Sequence, residues 1–363
     1  MKYRLYNYGV RPAMDGKSGF VVAPESLVWT DRGLLKVEEI TADDLVLGLG
    51  SDGKHSWSSL KEVNIRKEKV IKITTDSTET LLSPQSEIFS VEGIKKISNL
   101  NLGAVLETAN IPQDIFCRID RVDIPLFSIS NNVSKIEIDV KISYLLGTQI
   151  NARRYTDKVV FDQLDSNKAH IVASLCNEIK KNLGGGKIYY VAGGKRVRFD
   201  SPLIASISRE IWKDYNILYC IRHSRASIMT SFLCGTLDMI LMKNSADNPP
   251  TFFSTIEEQT DFRRFLLNIL RLSGVIPVRM RIVTRSEYEN YFKCSVNPGD
   301  LARIGVNFLK GKITPNSIQE TKTISYSSIR YISSRQGRVV YLTTNEPHWS
   351  PIVDLLPLHR HEF

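Results

Sequence analysis

Residues 26–40 read SLVWTDRGLLKVEEI, and this stretch decides the fold class of the first third of the chain. Short apolar and β-branched runs flank a turn at Asp31-Arg32-Gly33, which predicts two strands joined by a tight turn. Residues 70–76 (VIKITTD) alternate like a strand, and residues 80–100 (TLLSPQSEIFSVEGIKKISNL) predict another strand pair around Glu92-Gly93. Strands this short, spaced by roughly ten residues, indicate a compact all-β domain.

The pattern becomes helical from residue 141. KISYLLGTQI (141–150) is apolar on one helical face, and NKAHIVASLCNEIKKNL (167–183) has helical period and stops at three glycines. KIYYVAGGKRVRFDS (187–201) predicts a hairpin that turns at Gly193-Gly194. Helices and strands then recur in segments 202–215, 227–242, 251–255, 260–275, 278–285 and 288–296. An approximate αββα unit is therefore predicted twice within 141–318.

Residues 323–346 (TISYSSIRYISSRQGRVVYLTTNE) return to β alternation. With β patterns at both ends and an α/β middle, the chain holds either three domains or one β domain with an insertion.

The composition is that of a soluble globular protein. The chain has 363 residues, 42% of them apolar and 24% charged, which excludes wholesale disorder, collagen and coiled coil. No run of about 18 uninterrupted apolar residues predicts a transmembrane helix, and the first twenty residues lack the apolar core of a signal peptide. We therefore expect a cytoplasmic or nucleoid-associated protein and no membrane partner.

The net charge of +9 is concentrated in the middle of the chain. Residues 131–318 carry 27 Lys and Arg against 17 Asp and Glu, a net of +10, whereas residues 1–130 have a net of −2 and residues 319–363 a net of +1. A basic middle between nearly neutral flanks suggests two physical units with different partners, although such a charge is also compatible with an ordinary solvated surface.

Cysteine and histidine spacing gives no sign of a metal site. The five cysteines are widely spaced without a CxxC pair, which predicts buried reduced thiols. The histidines form no HExxH pattern, and the terminal His359-Arg360-His361 is expected to belong to a frayed tail over 359–363.

The flanks of the chain resemble the Hint fold of inteins. VVAPESLVWTDRGLLKVEEITADDLVLG (21–48) is similar to the N-terminal intein block, with its spacer, Thr-x-Val-x-Thr strand, Gly turn and IxxLxxGDxV ending. Residues 69–106 resemble the block that carries Thr-x-x-His, and SIRYISSRQGRVVYLTTNEPHWSPIV (328–353) resembles the penultimate block.

The middle resembles a LAGLIDADG homing endonuclease. YLLGTQINA (144–152) and FLCGTLDMIL (232–241) are similar to its two motif helices, residues 252–275 to the segment after the second motif, and LARIGVNFLKGK (301–312) to the closing helix. The resemblance implies an α+β chain in which an all-β Hint-like domain is interrupted by a two-repeat αββα domain. The predicted order is an N-terminal extension (1–20), Hint-like β domain (21–130), LAGLIDADG-like domain (131–318), the rest of the Hint-like domain (319–358) and the tail (359–363).

The splicing residues that the intein resemblance implies are replaced. Val21 stands where the first nucleophile is expected, and Ser86 stands where the block's His polarises the scissile amide; a serine hydroxyl is not a general base at neutral pH. Tyr341 occupies the place of the penultimate block's Asp, His348 falls at its His, and the C-terminal PLHRHEF lacks the Asn that cyclises. We predict that the chain does not splice.

The nuclease residues are replaced as well. The resemblance implies one metal-binding carboxylate five residues after each motif glycine, Gly147 and Gly235, and these positions hold Ala152 and Ile240. Asp238 matches a different, structural position of the motif, and Asp157 could substitute only if the loop shifts by a turn. We therefore predict no metal and no cofactor, with Mg²⁺ required only if the nuclease is active.

Each repeat keeps a strand pair rich in cations. The resemblance places this saddle-shaped sheet in the DNA major groove, where arginine and lysine contact phosphates and guanines. Such residues also protect edge strands from aggregation, which is the alternative interpretation. The candidate DNA-binding residues are Lys187, Lys195, Arg196, Arg198, Arg279, Arg281 and Arg285.

Three hypotheses of function follow. The first is a catalytically inactive relic of an intein and homing endonuclease, retained as a DNA-binding or structural accessory protein with duplex DNA as its partner. The second is a protein-interaction subunit of a larger viral or mobile-element assembly, without DNA binding. The third is an active DNA endonuclease that uses displaced acidic residues. The two internal repeats predict a monomer, because they supply a pseudo-two-fold axis within one chain.

Overall fold

The structure is a computed structural model that describes residues 18–111, 126–128, 135–162, 164–181, 185–212, 219–240, 251–255, 260–275, 277–286, 289–304, 324–344, 346, 349–359 and 361–362. The chain divides into two compact units. Unit 1 consists of Met1–Pro112 and Thr321–Phe363, and unit 2 consists of Gln113–Glu320. Residues 113–130, which the sequence analysis assigns to the β domain, thus fall in unit 2.

The elements are numbered along the whole chain. The strands of unit 1 are β1 (Ser18–Val22), β2 (Leu27–Thr30), β3 (Gly33–Lys36), β4 (Leu45–Leu49), β5 (His55–Ser59), β6 (Lys61–Thr75), β7 (Glu79–Leu82), β8 (Glu87–Ser90), β9 (Gly93–Lys96), β10 (Val105–Ala109), β20 (Ile324–Thr343), β21 (Ser350–Val353), β22 (Leu356–His359) and β23 (His361–Glu362). Two short 3₁₀ turns, Val37–Glu39 and Ile97–Asn99, complete this unit's described elements.

Unit 2 holds the helices and the remaining strands. The strands are β11 (Leu126–Ser128), β12 (Lys135–Glu137), β13 (Arg153–Arg154), β14 (Lys158–Phe161), β15 (Lys187–Val191), β16 (Arg196–Asp200), β17 (Thr251–Thr255), β18 (Pro277–Ser286) and β19 (Glu289–Val296). The helices are α1 (Val140–Gly147), α2 (Ser166–Ile179), α3 (Pro202–Ile211), α4 (Tyr219–Arg222), α5 (Ala226–Ile240), α6 (Thr260–Leu272) and α7 (Pro298–Arg303). The chain is α+β with mostly antiparallel sheet, and this part of the predicted fold class is confirmed.

The first and last stretches of unit 1 share one antiparallel sheet. β20 pairs with β6 over almost its whole length and with β1 through Phe20–Leu342, Val21–Tyr341 and Val22–Val340. The core between these strands draws on both stretches, since Phe20 contacts Trp349 edge to face with ring centroids 6.3 Å apart. Unit 1 is thus completed only when its two separate stretches come together.

Unit 1 contains an internal repeat, in which residues 20–50 and 80–110 adopt the same local structure sixty positions apart. Each copy has four strands, with a two-residue turn between the second and third strands and a 3₁₀ turn between the third and fourth. Gly33 and Gly93 each begin the third strand with a φ of 114°, a conformation that L side chains rarely adopt.

The backbone hydrogen bonds of the two copies also correspond. Val37 N donates to Ser26 O at 2.9 Å, and Ile97 N donates to Ser86 O at 2.9 Å. The antiparallel pair of Val22 with Leu82 joins equivalent positions of the two copies. A pseudo-two-fold axis therefore passes through the β1–β7 pairing.

Unit 2 is organised around the crossing of α1 and α5. A β-carbon at Gly147 would lie 2.1 Å from Phe232 O, and one at Gly235 would lie 2.1 Å from Tyr144 O. These contacts are reciprocal, because each glycine meets the residue three positions before the other. Only glycine lets the two helix backbones approach so closely.

Two serine hydroxyls join the same pair of helices. Ser143 Oγ donates to Ile228 O at 2.8 Å, and Ser231 Oγ donates to Val140 O at 2.6 Å. Each serine precedes its helix's glycine by four residues, so this exchange follows the same approximate two-fold axis. Asp139 caps the first turn of α1, because its carboxylate accepts a hydrogen bond from Ile142 N at 2.8 Å.

The C-terminal tail departs from its prediction. His359 ends β22, and its Nδ1 lies 3.0 Å from Glu87 Oε2. His361 and Glu362 form β23, which pairs with Gly19 and Ser18 of β1. The expectation of a frayed tail is wrong for these residues, because His359 pairs with Glu87 of β8, and His361 and Glu362 pair with β1. None of the helices in the described ranges is long and apolar enough to cross a membrane.

Candidate nucleic-acid interface

The three positions that the intein resemblance singles out lie together in unit 1. Val21 of β1 pairs directly with Tyr341 of β20, and Ser86 Oγ donates a short hydrogen bond to the carbonyl oxygen of Val21. Val21 is 1% exposed and Ser86 is 2% exposed. His348 lies outside the described residues.

The Ser86–Val21 hydrogen bond has an equivalent in the other copy of the repeat. Ser26 Oγ donates to the carbonyl oxygen of Leu81 at 2.6 Å, and Ser26 and Leu81 are the counterparts of Ser86 and Val21. The two serines therefore join the halves of unit 1 reciprocally. This symmetry gives the Ser86 contact a structural explanation.

A polar cluster lies beside Tyr341. Glu68 accepts from Tyr341 Oη at 2.6 Å and from Ser83 Oγ at 3.4 Å, and the Arg66 guanidinium lies 5.0 Å from the centroid of the Tyr341 ring. Desolvation and the hydrogen bond with Glu68 raise the pKa of Tyr341 above its ordinary value of 10.0. The phenol is therefore a neutral donor here and does not supply the negative charge of an aspartate.

In unit 2, apolar residues occupy the two positions implied for metal ligands. Ala152 follows α1 and is 8% exposed, and Ile240 is the last residue of α5. Asp238 is fully buried and accepts a short hydrogen bond from Tyr144 Oη, so it ties α5 to α1. Asp157 is exposed and lies 3.9 Å from Lys158 Nζ. No cluster of three or more His, Cys, Asp or Glu suited to a metal occurs among the residues that the structure describes.

A cavity of about 600 Å³ lies beside Ala152. It is lined by Thr148, Ile150, Asn151, Ala152, Arg154, Phe161, Asp162, Leu164, Lys168 and Met239. Lys168 Nζ donates to Met239 O at 3.0 Å, and desolvation lowers the pKa of this amine below its ordinary value. Arg154 stacks over Trp212, with its Cζ 5.2 Å from the ring centroid. The polar groups lining this cavity are thus also engaged with the protein itself.

Three of the predicted DNA-binding residues, Lys187, Arg196 and Arg198, lie on one face of a four-stranded sheet. In β16, Arg196, Arg198 and Asp200 share the more exposed face, whereas Val197 and Phe199 are fully buried on the other. The sheet order is β13-β14-β16-β15, and all of its pairings are antiparallel.

Neighbouring strands extend this face in register. Lys187 of β15 and Lys158 of β14 both pair with Asp200, and the pairing of Arg153 with Val160 places Arg153 on the same side. We call this surface the basic face, and define it by Arg153, Lys158, Asp162, Lys187, Arg196, Arg198 and Asp200. Its five cations and two carboxylates leave it positive, and Lys187 is exposed.

Lys195, another predicted DNA-binding residue, lies in the turn between β15 and β16 and is exposed. It therefore belongs to neither strand of the hairpin. Its charge lies at the end of the hairpin.

The arginines of the basic face are held by aspartates. Arg198 Nε and Nη2 donate to the two carboxylate oxygens of Asp200 at 2.6 and 2.7 Å. Arg153 donates to both oxygens of Asp162, and Arg196 Nε donates to one of them. Desolvation would raise the pKa of Asp162, but the hydrogen bonds from the two arginines outweigh it and hold the pKa below its ordinary value.

The second repeat places its arginines on β18 of a three-stranded sheet ordered β17-β19-β18. In the backbone register of this sheet, Arg279 is paired with Ser295 and Arg281 with Lys293. Arg285 falls at an irregularity in the register between Thr284 and Ser286.

Sequence reasoning missed Arg153, Asp162 and Asp200. Arg153 belongs to the two-residue strand β13, which is too short to have an alternation pattern. Asp200 was present in the quoted segment RVRFD, where an acid two residues after Arg198 on the same strand could have been expected to pair with it.

Comparisons with known proteins give low similarities. No family model matches the chain, and no curated protein matches it. Among solved structures, the chain is similar to I-DmoI in complex with DNA and Mn, with 16% identity over 49% of this chain and 100% of that chain and a TM-score of 0.35. The solution structure of the DnaX mini intein from Spirulina platensis covers 32% of this chain and 74% of its own, with 18% identity and a TM-score of 0.21. The gp41-1 intein covers 26% and 68%, with 22% identity and a TM-score of 0.21. The solved structures to which parts of this chain are similar thus include a homing endonuclease and inteins.

Proposed function

We propose that this chain is a catalytically inactive relative of inteins and homing endonucleases, of mobile-element origin, kept as a DNA-binding protein. The observation that carries the proposal is the basic face of unit 2. Five cations lie on one side of a single sheet, and two of them, Arg153 and Lys187, are exposed to solvent. An array of this kind attracts the phosphates of a duplex and releases the counterions that surround them.

The absence of splicing is supported by the chemistry at Val21 and Ser86. Val21 has no nucleophilic atom, and the Ser86 hydroxyl already donates to the Val21 carbonyl. The expressed chain should therefore stay intact at 41.2 kDa, and mass spectrometry that detects cleavage near Val21 or His359 would contradict this.

The absence of metal-dependent cleavage is supported by Ala152 and Ile240, neither of which offers an oxygen ligand. Isothermal titration calorimetry with Mg²⁺ should detect no binding to the wild-type chain. Ala152→Asp, which places a carboxylate at this position, is the variant for comparison. Specific double-strand cleavage of DNA in Mg²⁺ or Mn²⁺ would favour the alternative of an active nuclease.

The DNA-binding proposal is tested by the salt dependence of binding to a 30-bp duplex. If about six phosphates are contacted, a plot of log affinity against log salt concentration should have a slope near −5. Replacing Arg196, Arg198, Arg279 and Arg281 by Ala should weaken binding and flatten the slope, with the thermal midpoint nearly unchanged. An unchanged affinity in this variant would remove DNA from the account and favour the protein-interaction hypothesis.

A further inference from the structure

The guanidinium of Arg198 is fixed in orientation on both of its sides. Asp200 accepts from Nε and Nη2 through two hydrogen bonds, and the Tyr189 ring centroid lies 5.2 Å from Arg198 Cζ. A bidentate ion pair and an aromatic neighbour together restrain a side chain that would otherwise sample many rotamers. The guanidinium plane therefore has a defined direction on the basic face.

Asp162 does the same for two further arginines. Arg153 donates through Nε at 2.5 Å and through Nη2 at 3.1 Å, and Arg196 donates through Nε to the same carboxylate. The side chain of Asp162 is 18% exposed, while those of Arg153 and Arg196 are 53% and 40% exposed. The acid thus lies deeper than the two cations that it holds.

These aspartates would be a disadvantage if the face bound phosphates alone. Each carboxylate cancels one positive charge and repels the backbone of a duplex, and a phosphate contact needs charge more than direction. Reading a base edge is different, because guanine presents O6 and N7 as a pair of acceptors that an arginine must meet in its own plane. Arg198 has five N–H donors, and two of them donate to Asp200, so three remain for such a contact.

We propose that Asp162 and Asp200 are positioning residues that orient Arg153, Arg196 and Arg198 to read guanine in the major groove. The inference rests on the proposed function, because it assumes that the basic face meets a duplex. Guanine contacts on this sheet are already implied by the resemblance to homing endonucleases, and the new assignment is the role of the two aspartates in orienting the arginines.

The test uses two 30-bp duplexes of alternating dG and dC, one of them with every guanine replaced by 7-deazaguanine. Loss of N7 removes one acceptor of the pair and leaves phosphate charge unchanged. The wild-type chain should bind the 7-deaza duplex about tenfold or more weakly. Asp200→Asn and Asp162→Asn should each show a smaller N7 dependence than the wild type, and the double variant should bind both duplexes nearly equally. The salt slope should become more negative by about 1 for each freed arginine that turns to phosphate.

Asp157→Asn is the matched control. Asp157 precedes β14, its side chain is 61% exposed, and its Oδ1 lies 3.9 Å from Lys158 Nζ. Its charge also raises the pKa of Arg198, but by less than the hydrogen bond with Asp200 does. Removing this charge should strengthen binding to both duplexes by the same factor and preserve the N7 dependence. A thermal midpoint measured for each variant separates loss of orientation from loss of fold.

The outcomes are distinct. The inference is overturned if the wild type binds both duplexes equally. It is also overturned if Asp200→Asn and Asp162→Asn keep the N7 dependence as fully as Asp157→Asn does. Either result would leave electrostatic DNA binding in place. A wild-type chain that binds neither duplex at low salt would overturn the proposed function itself.

Discussion

Unit 1 and unit 2 both join two related halves through reciprocal serine hydroxyls, but they differ in what surrounds the joint. In unit 1 the exchange between Ser26 and Ser86 uses the carbonyl of Val21. Val21 and Ser86, the positions that the intein resemblance implies for splicing, are therefore engaged in a structural contact. In unit 2 the exchange between Ser143 and Ser231 lies between two helices, and the charged residues lie elsewhere, on the sheet. The comparison indicates that a surface function is easier to keep, and to alter, in unit 2.

The comparison predicts its largest effect at the helix crossing of unit 2. Gly235→Ala places a β-carbon 2.1 Å from the Tyr144 carbonyl oxygen, a clash with backbone that no rotamer relieves. We expect a loss of about 3 kcal/mol in the free energy of unfolding of unit 2. Urea denaturation followed by circular dichroism at 222 nm measures it, because the described α-helices lie in unit 2.

The control for this prediction is Gly193→Ala in the β15–β16 turn. Its β-carbon would meet no atom within 4 Å, so only the strain of its positive φ remains, about 1 kcal/mol. Equal losses in the two variants would show that the helix crossing is not the critical contact of unit 2.

The next effect concerns the joint between the separate stretches of unit 1. Asp354 is fully buried, and its carboxylate accepts from Leu27 N at 3.0 Å and from Thr80 Oγ1 at 3.1 Å. Asp354→Ala leaves both donors buried without this partner and should cost about 2 kcal/mol. Asp354→Asn keeps one acceptor and tolerates the φ of 45°, so its loss in urea denaturation should be smaller.

A smaller effect tests the symmetry of unit 1 directly. Ser26→Ala and Ser86→Ala each remove one hydroxyl-to-carbonyl hydrogen bond, and each should lower the free energy of unfolding by about 1 kcal/mol. Because the serines are equivalent, the two losses should agree within the error of the measurement. A much larger loss at one serine would mean that its contact has a role beyond the shared one.

The smallest effect is a pH dependence in unit 1. Glu107 is 5% exposed, and desolvation raises its pKa above the ordinary value of 4.5. The folded state then holds the proton more tightly than the unfolded state, so stability is greatest below the unfolded pKa and falls as pH rises through the folded pKa. Glu107→Gln should therefore stabilise the protein at pH 7 and have little effect near pH 4. A gain that is equal at both pH values would rule out this titration as the cause.

Much of the secondary structure could be predicted from local patterns. The turns at Asp31-Arg32 and Val91-Glu92, each followed by a glycine, fall where the sequence indicated them, and the hairpin at Gly193-Gly194 joins β15 to β16. These features are local, because a positive φ at glycine and the apolar runs beside it are set by a few neighbouring residues.

The repeat of unit 1 was not predictable in the same way. Its two copies share only Pro, Ser, Gly and Lys at corresponding positions, beginning with Pro24 and Pro84. Those residues serve backbone contacts: Glu38 N donates to Pro24 O at 3.0 Å, and Ser98 N donates to Pro84 O at 3.1 Å. At the other positions of the repeat, packing requires only apolar side chains of suitable size. The two copies can therefore share a backbone geometry without sharing a sequence.

The candidate site was predictable only as charge. Strand alternation in RVRFD (196–200) puts Arg196 and Arg198 on one face of the predicted hairpin, but their aspartate partners depend on which strands become neighbours. Asp162 reaches Arg196 because β14 lies beside β16, and that pairing joins segments more than thirty residues apart.

The pairing of β20 with β1 and β6 also sets an order of events during synthesis. Unit 2 is continuous in sequence and can fold as it leaves the ribosome, whereas β1 and β6 wait for a strand that begins at Ile324. At about 5–20 residues per second, the delay after β10 is on the order of 10–40 seconds. During that interval the nascent unit 1 exposes unpaired strand edges, so a chaperone that covers such edges should raise the yield of folded protein more than one that acts after release.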